Sequence, residues 1–481
     1  MSSVLAASSA PEFRRDPRDF SRGGVLSPEL LVTLLLYMIA DAGRRGYRHL
    51  LPAFWDEARS FDLPLPTKDP VSAPSFCAAR HKITSEQLHH ILREVATTSL
   101  DTAFGAARRW HGRRVFGVDG TWLNLQRGDE LAHAFGVPEG AHCPQAMMSV
   151  LLDVCAKAPV DLRVAPFSSS ERDHLLAMLP SLQPGDIAVL DRGYPSHEVL
   201  QALVRAKVDF LIRVPATHTF GLVDDLRESG GNEYLYWLDP PQGSPPDWKR
   251  LKLRAVRLRA PSGETSYFVT TLWRESFSRA ELRKLYRMRW EAEEHFKLMK
   301  GPYIGQGQFR SKTAAGVEQE IHALNLFLLI ARVLMATVSK ETGTELSSLS
   351  KKAAVLGLAA YVTRLFLCAD SERALRELRA LLERVSRTRE KPRRRRSFPR
   401  VSYRPRLRWG PSGRCGGQWH WGDSPLSSAN SRTLRPLRSC SAITARHRFS
   451  VVVDCMATRV VEAPPGANAR RQAPLGRIRK T

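Results

Sequence analysis

The chain has 481 residues, 73 Lys and Arg against 48 Asp and Glu, and a formal charge of +25 at pH 7. Its 43% hydrophobic content supplies a sizeable core and excludes a globally disordered chain. The cationic excess makes a polyanion, nucleic acid first, the expected partner. Seven scattered cysteines with no C-x-x-C pair give no support to a zinc or dithiol site and fit a reducing compartment.

Residues 1–24 lack the apolar core of a signal peptide and are expected to be flexible. Residues 25–110 read as a helical domain. Ser27-Pro28-Glu29 opens a helix, with Ser27 as N-cap and proline at the first position, running through Leu30–Met38. Helical segments follow around Phe76–His81 and Ser85–Ser99, the second begun by the capping-box pair Thr84 and Gln87. From Arg114 the pattern changes to the short β-prone runs Val115–Val118, Met147–Val154 and Val160–Ala165. Ser168–Ser170 and Glu171 open a helix, and Ile187–Leu190 and Phe210–Val214 are further apolar runs. Strands alternating with helices predict that 111–215 is the first part of an α/β core.

Residues 216–275 contain a proline cluster and the alternating runs Arg250–Arg259 and Ser266–Leu272, which predict a β-rich insertion. Ser278 caps a long helix, Ala280 to about Lys300, which opens the second part of the core over 276–345. Another helix is expected around Glu318–Val338, and one around Glu372–Val385 within 346–389. The most apolar stretches, Leu30–Ala40 and Ala323–Ala336, fall short of the roughly 20 residues of a bilayer crossing. Both read as buried helices, so a cytoplasmic protein without a membrane partner is expected. Residues 390–481 are basic and rich in Gly, Ser and Pro, and are expected to stay largely unpacked.

Three acidic residues stand where chemistry would need them. Asp119 ends Val115-Phe-Gly-Val and precedes Gly120-Thr121; Asp191 ends Ile187-Ala-Val-Leu and precedes Arg192-Gly193-Tyr194. A carboxylate at the end of a buried strand is desolvated unless a cation or hydrogen bonds compensate. One such Asp is most simply a cap or turn former, whereas two at equivalent places point to a shared cation. On the later helix, at about 100° per residue, Tyr286, Arg289, Glu293 and Lys300 share an arc of about 60°. A solvated salt-bridge ladder has the same spacing, and geometry alone leaves both readings open. Together, Asp119, Asp191 and Glu293 would suit Mg²⁺ or Mn²⁺. A pair of such ions supports in-line attack on a phosphodiester.

Asp119-Gly-Thr, Asp191-Arg-Gly-Tyr and Tyr286-x2-Arg289-x3-Glu293-x6-Lys300 resemble the motifs of bacterial insertion-sequence DDE transposases. The branch is the one with the Tyr-Arg-Glu-Lys (YREK) signature, the insertion sequence four family. The resemblance covers about residues 25–405 and is best over 110–305. It implies an α/β, ribonuclease-H-like catalytic core interrupted by the insertion, with Asp119, Asp191 and Glu293 as catalytic residues and ligands of two Mg²⁺ or Mn²⁺ ions. It also implies cut-and-paste transposition, in which a nick frees a 3′-hydroxyl that attacks the opposite strand and later the target. Tyr286, Arg289, Lys300 and Arg192 would bind DNA, and the N-terminal helices would read the terminal repeats. Trp248 or Trp273 would receive a flipped base. The implied partners are double-stranded DNA, at the element ends and the target, and a second copy of the chain, near the nucleoid of a bacterial cell.

Two rival readings share these residues: an inactive DNA-binding descendant of a transposase, and a metal-dependent nuclease of the same fold. No Gly-Lys dipeptide occurs, so a Walker A loop is excluded and no nucleotide cofactor is expected. Family members commonly finish near a basic segment like Arg393–Trp409, and the 72 residues beyond it resemble translated non-coding or shifted-frame sequence. Residues 391–481 hold 21 Lys and Arg against 3 Asp and Glu, which leaves only +7 on the first 390.

Overall fold

The structure, a computed structural model, describes residues 1–390 other than 11–12, 22–23, 42–44, 216–220, 260–263 and 302–308. Apart from Glu390, the basic tail lies outside the described residues. The N-terminal helices are α1 (Ser2–Ser9), α2 (Pro28–Ala40), α3 (Tyr47–Ser60), α4 (Ala73–Arg80) and α5 (Ser85–Phe104). Local chemistry sets their starts. Ser27 Oγ accepts from the Leu30 amide at 3.2 Å, and Thr84 and Gln87 bond each other's backbone amides in a capping box. The segment expected to be flexible contains α1, whose Val4 is fully buried in the core beside α2 and α5.

The sheet strands are β1 (Arg109–Trp110), β2 (Arg113–Asn124), β3 (Gln145–Asp153), β4 (Ala158–Pro166), β5 (Ile187–Leu190), β6 (Asp209–Val214), β7 (Glu233–Leu238), β8 (Leu251–Arg259) and β9 (Thr265–Thr270). Helices α6 (Asp129–Phe135), α7 (Glu171–Met178), α8 (His197–Arg205) and α9 (Leu222–Glu228) lie between them. After β9 come α10 (Arg279–Met288), α11 (Trp290–Met299), α12 (Ala314–Thr342), α13 (Lys351–Ala359), α14 (Val362–Phe366) and α15 (Ser371–Ser386).

Along the sheet the order is β4-β3-β2-β5-β6-β9-β8-β7, with β1 paired to β2. Strands β2, β3 and β4 are antiparallel neighbours, while β5 and β6 run parallel to β2. This three-plus-two order is that of a ribonuclease-H-like core. The β-rich insertion makes no sheet of its own. Its β9 pairs with β6 and carries β8 and β7 outward, so it extends the core sheet in antiparallel fashion.

By length and composition α12 could cross a membrane, with a mean hydropathy of 1.9 over its most apolar window, yet 89% of that window is buried. It is the core helix, packed on α2, α5 and β4. Its polar residues are spoken for. Asn325 Oδ1 accepts from His295 Nε2 at 2.9 Å and its Nδ2 donates to the Ile321 carbonyl at 2.9 Å, and Arg332 donates to the Ala156 carbonyl.

Burial pulls the pKa of His295 and of His322 from 6.5 down to about 4. Between pH 6.5 and 4 the unfolded chain therefore takes up protons that the folded chain refuses, and stability falls as the pH falls. Each histidine is expected to remove on the order of 3 kcal/mol by pH 4. Urea unfolding across this range checks it, and His295→Gln should flatten the slope.

Candidate active site

The site is built where two neighbouring strands part. The apolar run predicted for β2 stops at Val118, but the strand continues past Asp119 to Asn124. It does so because β3 pairs with it throughout, Asp119 opposite Val150 and Asn124 opposite Gln145. On the other side β5 pairs in parallel only as far as Gly117 opposite Val189. The same register carried two residues further sets Asp119 beside Asp191, just past the end of β5. Neighbouring strands lie about 4.8 Å apart, so the two carboxylates emerge side by side. Backbone amides hold them: Gly120 N–H donates to Asp119 Oδ1 at 3.1 Å, and Gly193 N–H to Asp191 Oδ1 at 2.7 Å.

The single long helix predicted over 280–300 is broken at Arg289. There Arg289 N–H reaches Tyr286 O at 3.2 Å and Ala292 N–H reaches Arg289 O at 3.0 Å, so tight i→i−3 bonds separate α10 from α11. Ser278 caps α10 as the sequence predicts, and Glu281 completes a capping box with it. From the junction the Arg289 guanidinium spans two carboxylates, meeting Asp119 Oδ2 at 3.1 Å and Glu293 Oε1 at 2.8 Å. Burial raises the Asp119 carboxyl above its usual range; Arg289 works against this and Asp191 adds to it. For Arg289, burial acts downward, but Asp119, Tyr286, Asp191 and Glu293 together hold it above its ordinary value.

The other predicted residues are placed unequally. Tyr286 packs edge-on against Phe268, ring centroids 4.6 Å apart, and lies beside Arg289. Lys300 Nζ donates to Thr121 Oγ1 at 2.5 Å and to Trp122 O at 3.0 Å, tying the end of α11 to the Asp-Gly-Thr segment. Arg192 is exposed and makes no ion pair with the described residues. Trp248 and Trp273 are half-buried, with Lys252 Nζ 5.4 Å from the Trp273 ring. The more exposed aromatic of the insertion is Trp237, 47% accessible and flanked by Arg250 and Lys252 at 5.2 and 5.9 Å.

A fourth carboxylate, Glu171, escaped the sequence reading. At the start of α7 it looks like an ordinary acid in a helix's first turn, favourable to the helix dipole. In the fold it lies over Gly120. A Cβ on Gly120 would stand 2.4 Å from Glu171 Oε1 and 2.9 Å from Met147 Cε, which explains the glycine of Asp-Gly-Thr. Burial raises the Glu171 carboxyl; the adjacent Tyr194 hydroxyl offsets part of this, and Asp119 and Asp191 add to it. Tyr194 is fully buried, with its hydroxyl set against Glu171. Since only the ends of two flexible side chains must give, Gly120→Ala is expected to cost about 1 kcal/mol, the low end for overpacking. Urea unfolding of the variant checks that value.

Among the described residues, no three His, Cys, Asp or Glu side chains stand at metal-ligand spacing. The donor chemistry nevertheless fits a hard divalent cation. Arg289 pairs with Asp119 and Glu293, and burial holds the carboxyls of Asp119 and the nearby Glu171 above their ordinary pKa. Arg289 bridges Asp119 and Glu293.

Residues 110–330 match the transposase DDE domain family. The DDE-type span runs from β1 into α12 and contains all four carboxylates, Arg289 and Lys300. The match supports a transposase, and with it DNA cleavage and strand transfer as the class of chemistry. A solved structure similar in course is the cryo-EM synaptic complex of piggyBac transposase with hairpin DNA. It shows 10% identity and a TM-score of 0.40, and the alignment covers 80% of this chain and 82% of that one. No curated protein matches the sequence.

Proposed function

We propose that the protein is a cut-and-paste DNA transposase of the insertion sequence four, YREK-bearing type, acting on the inverted-repeat ends of its own element. The observation that carries this reading is the register of Asp119 and Asp191 on neighbouring parallel strands, with Glu293 joined to Asp119 through Arg289. Asp119, Asp191 and Glu293 would hold one or two Mg²⁺ or Mn²⁺ ions, which supply water activation and stabilisation of the leaving oxygen. The chain's own residues then have distinct tasks. Asp119 and Asp191 are each fixed through Oδ1 by a backbone amide, and Asp119 Oδ2 is taken by Arg289. Arg289 must release at least one carboxylate to reach a DNA phosphate. That exchange couples DNA engagement to assembly of the three carboxylates. Lys300, anchored on Thr121, and Arg192, exposed beside Asp191, line the approach for the DNA backbone, with Tyr286 packed beneath Arg289.

In this reading hydrolysis at the element's end leaves a 3′-hydroxyl, and that oxygen then displaces another at a second phosphodiester. Helices α2 to α5 would read the terminal repeats. Two copies would pair two ends, in the bacterial cytoplasm near the nucleoid. The test is to mix the full chain and Mg²⁺ with duplex DNA carrying the inverted repeats that flank its gene. Nicks at the repeat boundary followed by joined products are expected. Binding without nicking would instead favour an inactive DNA-binding protein, and cutting without regard to the repeats would favour a nuclease.

A further inference from the structure

A cleft of about 360 Å³ opens where the N-terminal helices meet the start of α12. Among the described residues its lining holds Arg15, Arg80, His81, Arg310 and Lys312, but no Asp or Glu. Buried bonds bring these segments together. Arg80, at the end of α4, holds the Gly316 carbonyl and Gln319 of α12, and the Arg15 amide donates to the Lys82 carbonyl at 2.8 Å. Two of the cations are already engaged: Arg80 pairs with Glu320, and Arg310 with Asp41 and the carbonyls of Met38 and Arg45. Arg15, His81 and Lys312 are not. All three are exposed, and none makes an ion pair with the described residues. Basic groups converging on a cleft without a counter-charge repel one another, and a bound anion relieves that repulsion. The cleft wall also holds a backbone donor. Glu130 and Thr313 take the amides of Ala314 and Gly316, whereas the Ala315 amide between them, in the first turn of α12, has no partner among the described residues.

The position suits a phosphate of bound DNA. Strand β2 runs on from Asp119 to Asn124, and just beyond it Gln126 Nε2 donates to the Phe309 carbonyl at 2.9 Å, next to Arg310 in the cleft wall. At about 3.3 Å per extended residue, the cleft lies roughly 20 Å from the Asp pair. Phosphates recur about every 3.4 Å along each strand of a duplex, so that span is roughly six nucleotides.

We propose that the cleft of Arg15, His81 and Lys312 binds a backbone phosphate of the element-end DNA, roughly six nucleotides from the cleaved bond. This rests on the DNA-transposase reading above and adds to it a grip where the N-terminal helices join the core. Arg15 and His81 come from the N-terminal segments and Lys312 from the start of α12, so one phosphate engages both. Such a contact sets the register of the duplex and carries no sequence information itself.

The test measures binding of the full chain to duplex DNA carrying the inverted repeats that flank its gene, over a range of salt concentrations. The proteins compared are the parent, Lys312→Ala, Arg15→Ala combined with Lys312→Ala, and Lys340→Ala. Lys340 is an exposed lysine at the far end of α12, so its removal controls for the general loss of positive charge. Lys312→Ala should weaken binding about fivefold and the double variant about twentyfold, with the double variant's slope of log K against log salt shallower by about 0.9. Lys340→Ala should bind as the parent does, and thermal unfolding of every variant should match the parent. A neutral methylphosphonate placed roughly six nucleotides from the cleavage point should weaken binding of the parent but not of the double variant. If the parent binds the repeats and both Lys312 variants match it in affinity and slope, the proposal is wrong while the transposase reading stands. Equal losses from Lys340→Ala and Lys312→Ala would reduce the effect to overall charge and overturn the proposal too. If the parent does not bind the repeats at all, the transposase reading fails and takes this proposal with it.

Discussion

Asp119→Asn is expected to lower strand cleavage at least about a thousandfold, or about 4 kcal/mol in activation free energy, while leaving the protein folded. The substitution keeps the shape of the side chain and the acceptor for the Gly120 amide, but removes the charge that faces Asp191 and Arg289. Its effect on stability should run the other way. Asp119 has its pKa raised by burial, so the unfolded chain gives up this proton more readily than the folded one. Ionised Asp119 therefore costs stability at pH 7, and that cost grows as pH rises from the unfolded value through the folded one. The neutral amide should unfold at the parent's temperature or slightly above it, the trade expected where a strained charge serves function. Thermal unfolding beside a cleavage assay checks both signs. A variant that lost activity by unfolding would contradict the account.

The second large effect concerns the join between the N-terminal helices and the core. Arg80 on α4 is buried and reaches four partners: Gln319 Oε1 at 3.0 Å, Tyr47 Oη at 2.7 Å, Glu320 Oε1 at 3.1 Å and the Gly316 carbonyl at 2.7 Å. Glu320 is as deeply buried on α12; its Oε1 also accepts from the Ser311 amide, and its Oε2 from the Arg310 amide. Arg80→Ala would strand Glu320 without its cation and leave a cavity, at an expected cost of about 3–5 kcal/mol. That is a large share of the 5–15 kcal/mol typical of a folded domain. Urea unfolding should show it, and Arg80→Met with Glu320→Gln should recover part of the loss by removing the stranded charge. A cost below about 1 kcal/mol would mean that solvent reaches Glu320, against its burial here.

What was legible in the sequence was local or strictly periodic. Ser27, Thr84 with Gln87, and Ser278 cap their helices as expected, because a cap needs only residues three apart. The length of β2 was not legible, since its last residues are strand only by pairing with β3 some twenty residues away. The break at Arg289 was hidden for the same reason: its partner Asp119 is 170 residues distant, and nothing nearby marks a kink. The three acidic residues could be named because each sits beside a recognisable motif. Glu171 could not, because an acid in a helix's first turn is common and its neighbour Gly120 comes from another strand. The overall charge was a poor guide. Most of it lies beyond residue 390, whereas the site is a cluster of carboxylates with Arg289 between them.

The central claim is that the carboxylates of Asp119, Asp191 and Glu293 act together in Mg²⁺-dependent DNA cleavage. Its most direct test is one denaturing gel of end-labelled DNA bearing the element's inverted repeats, comparing the parent with Glu293→Gln. Glu293→Gln keeps the helix and can still accept from Arg289, so DNA binding, followed in parallel, should persist. Boundary nicks are expected from the parent only with Mg²⁺, and none from Glu293→Gln. Nicks of undiminished yield from Glu293→Gln, or from the parent in the presence of a chelator, would contradict it.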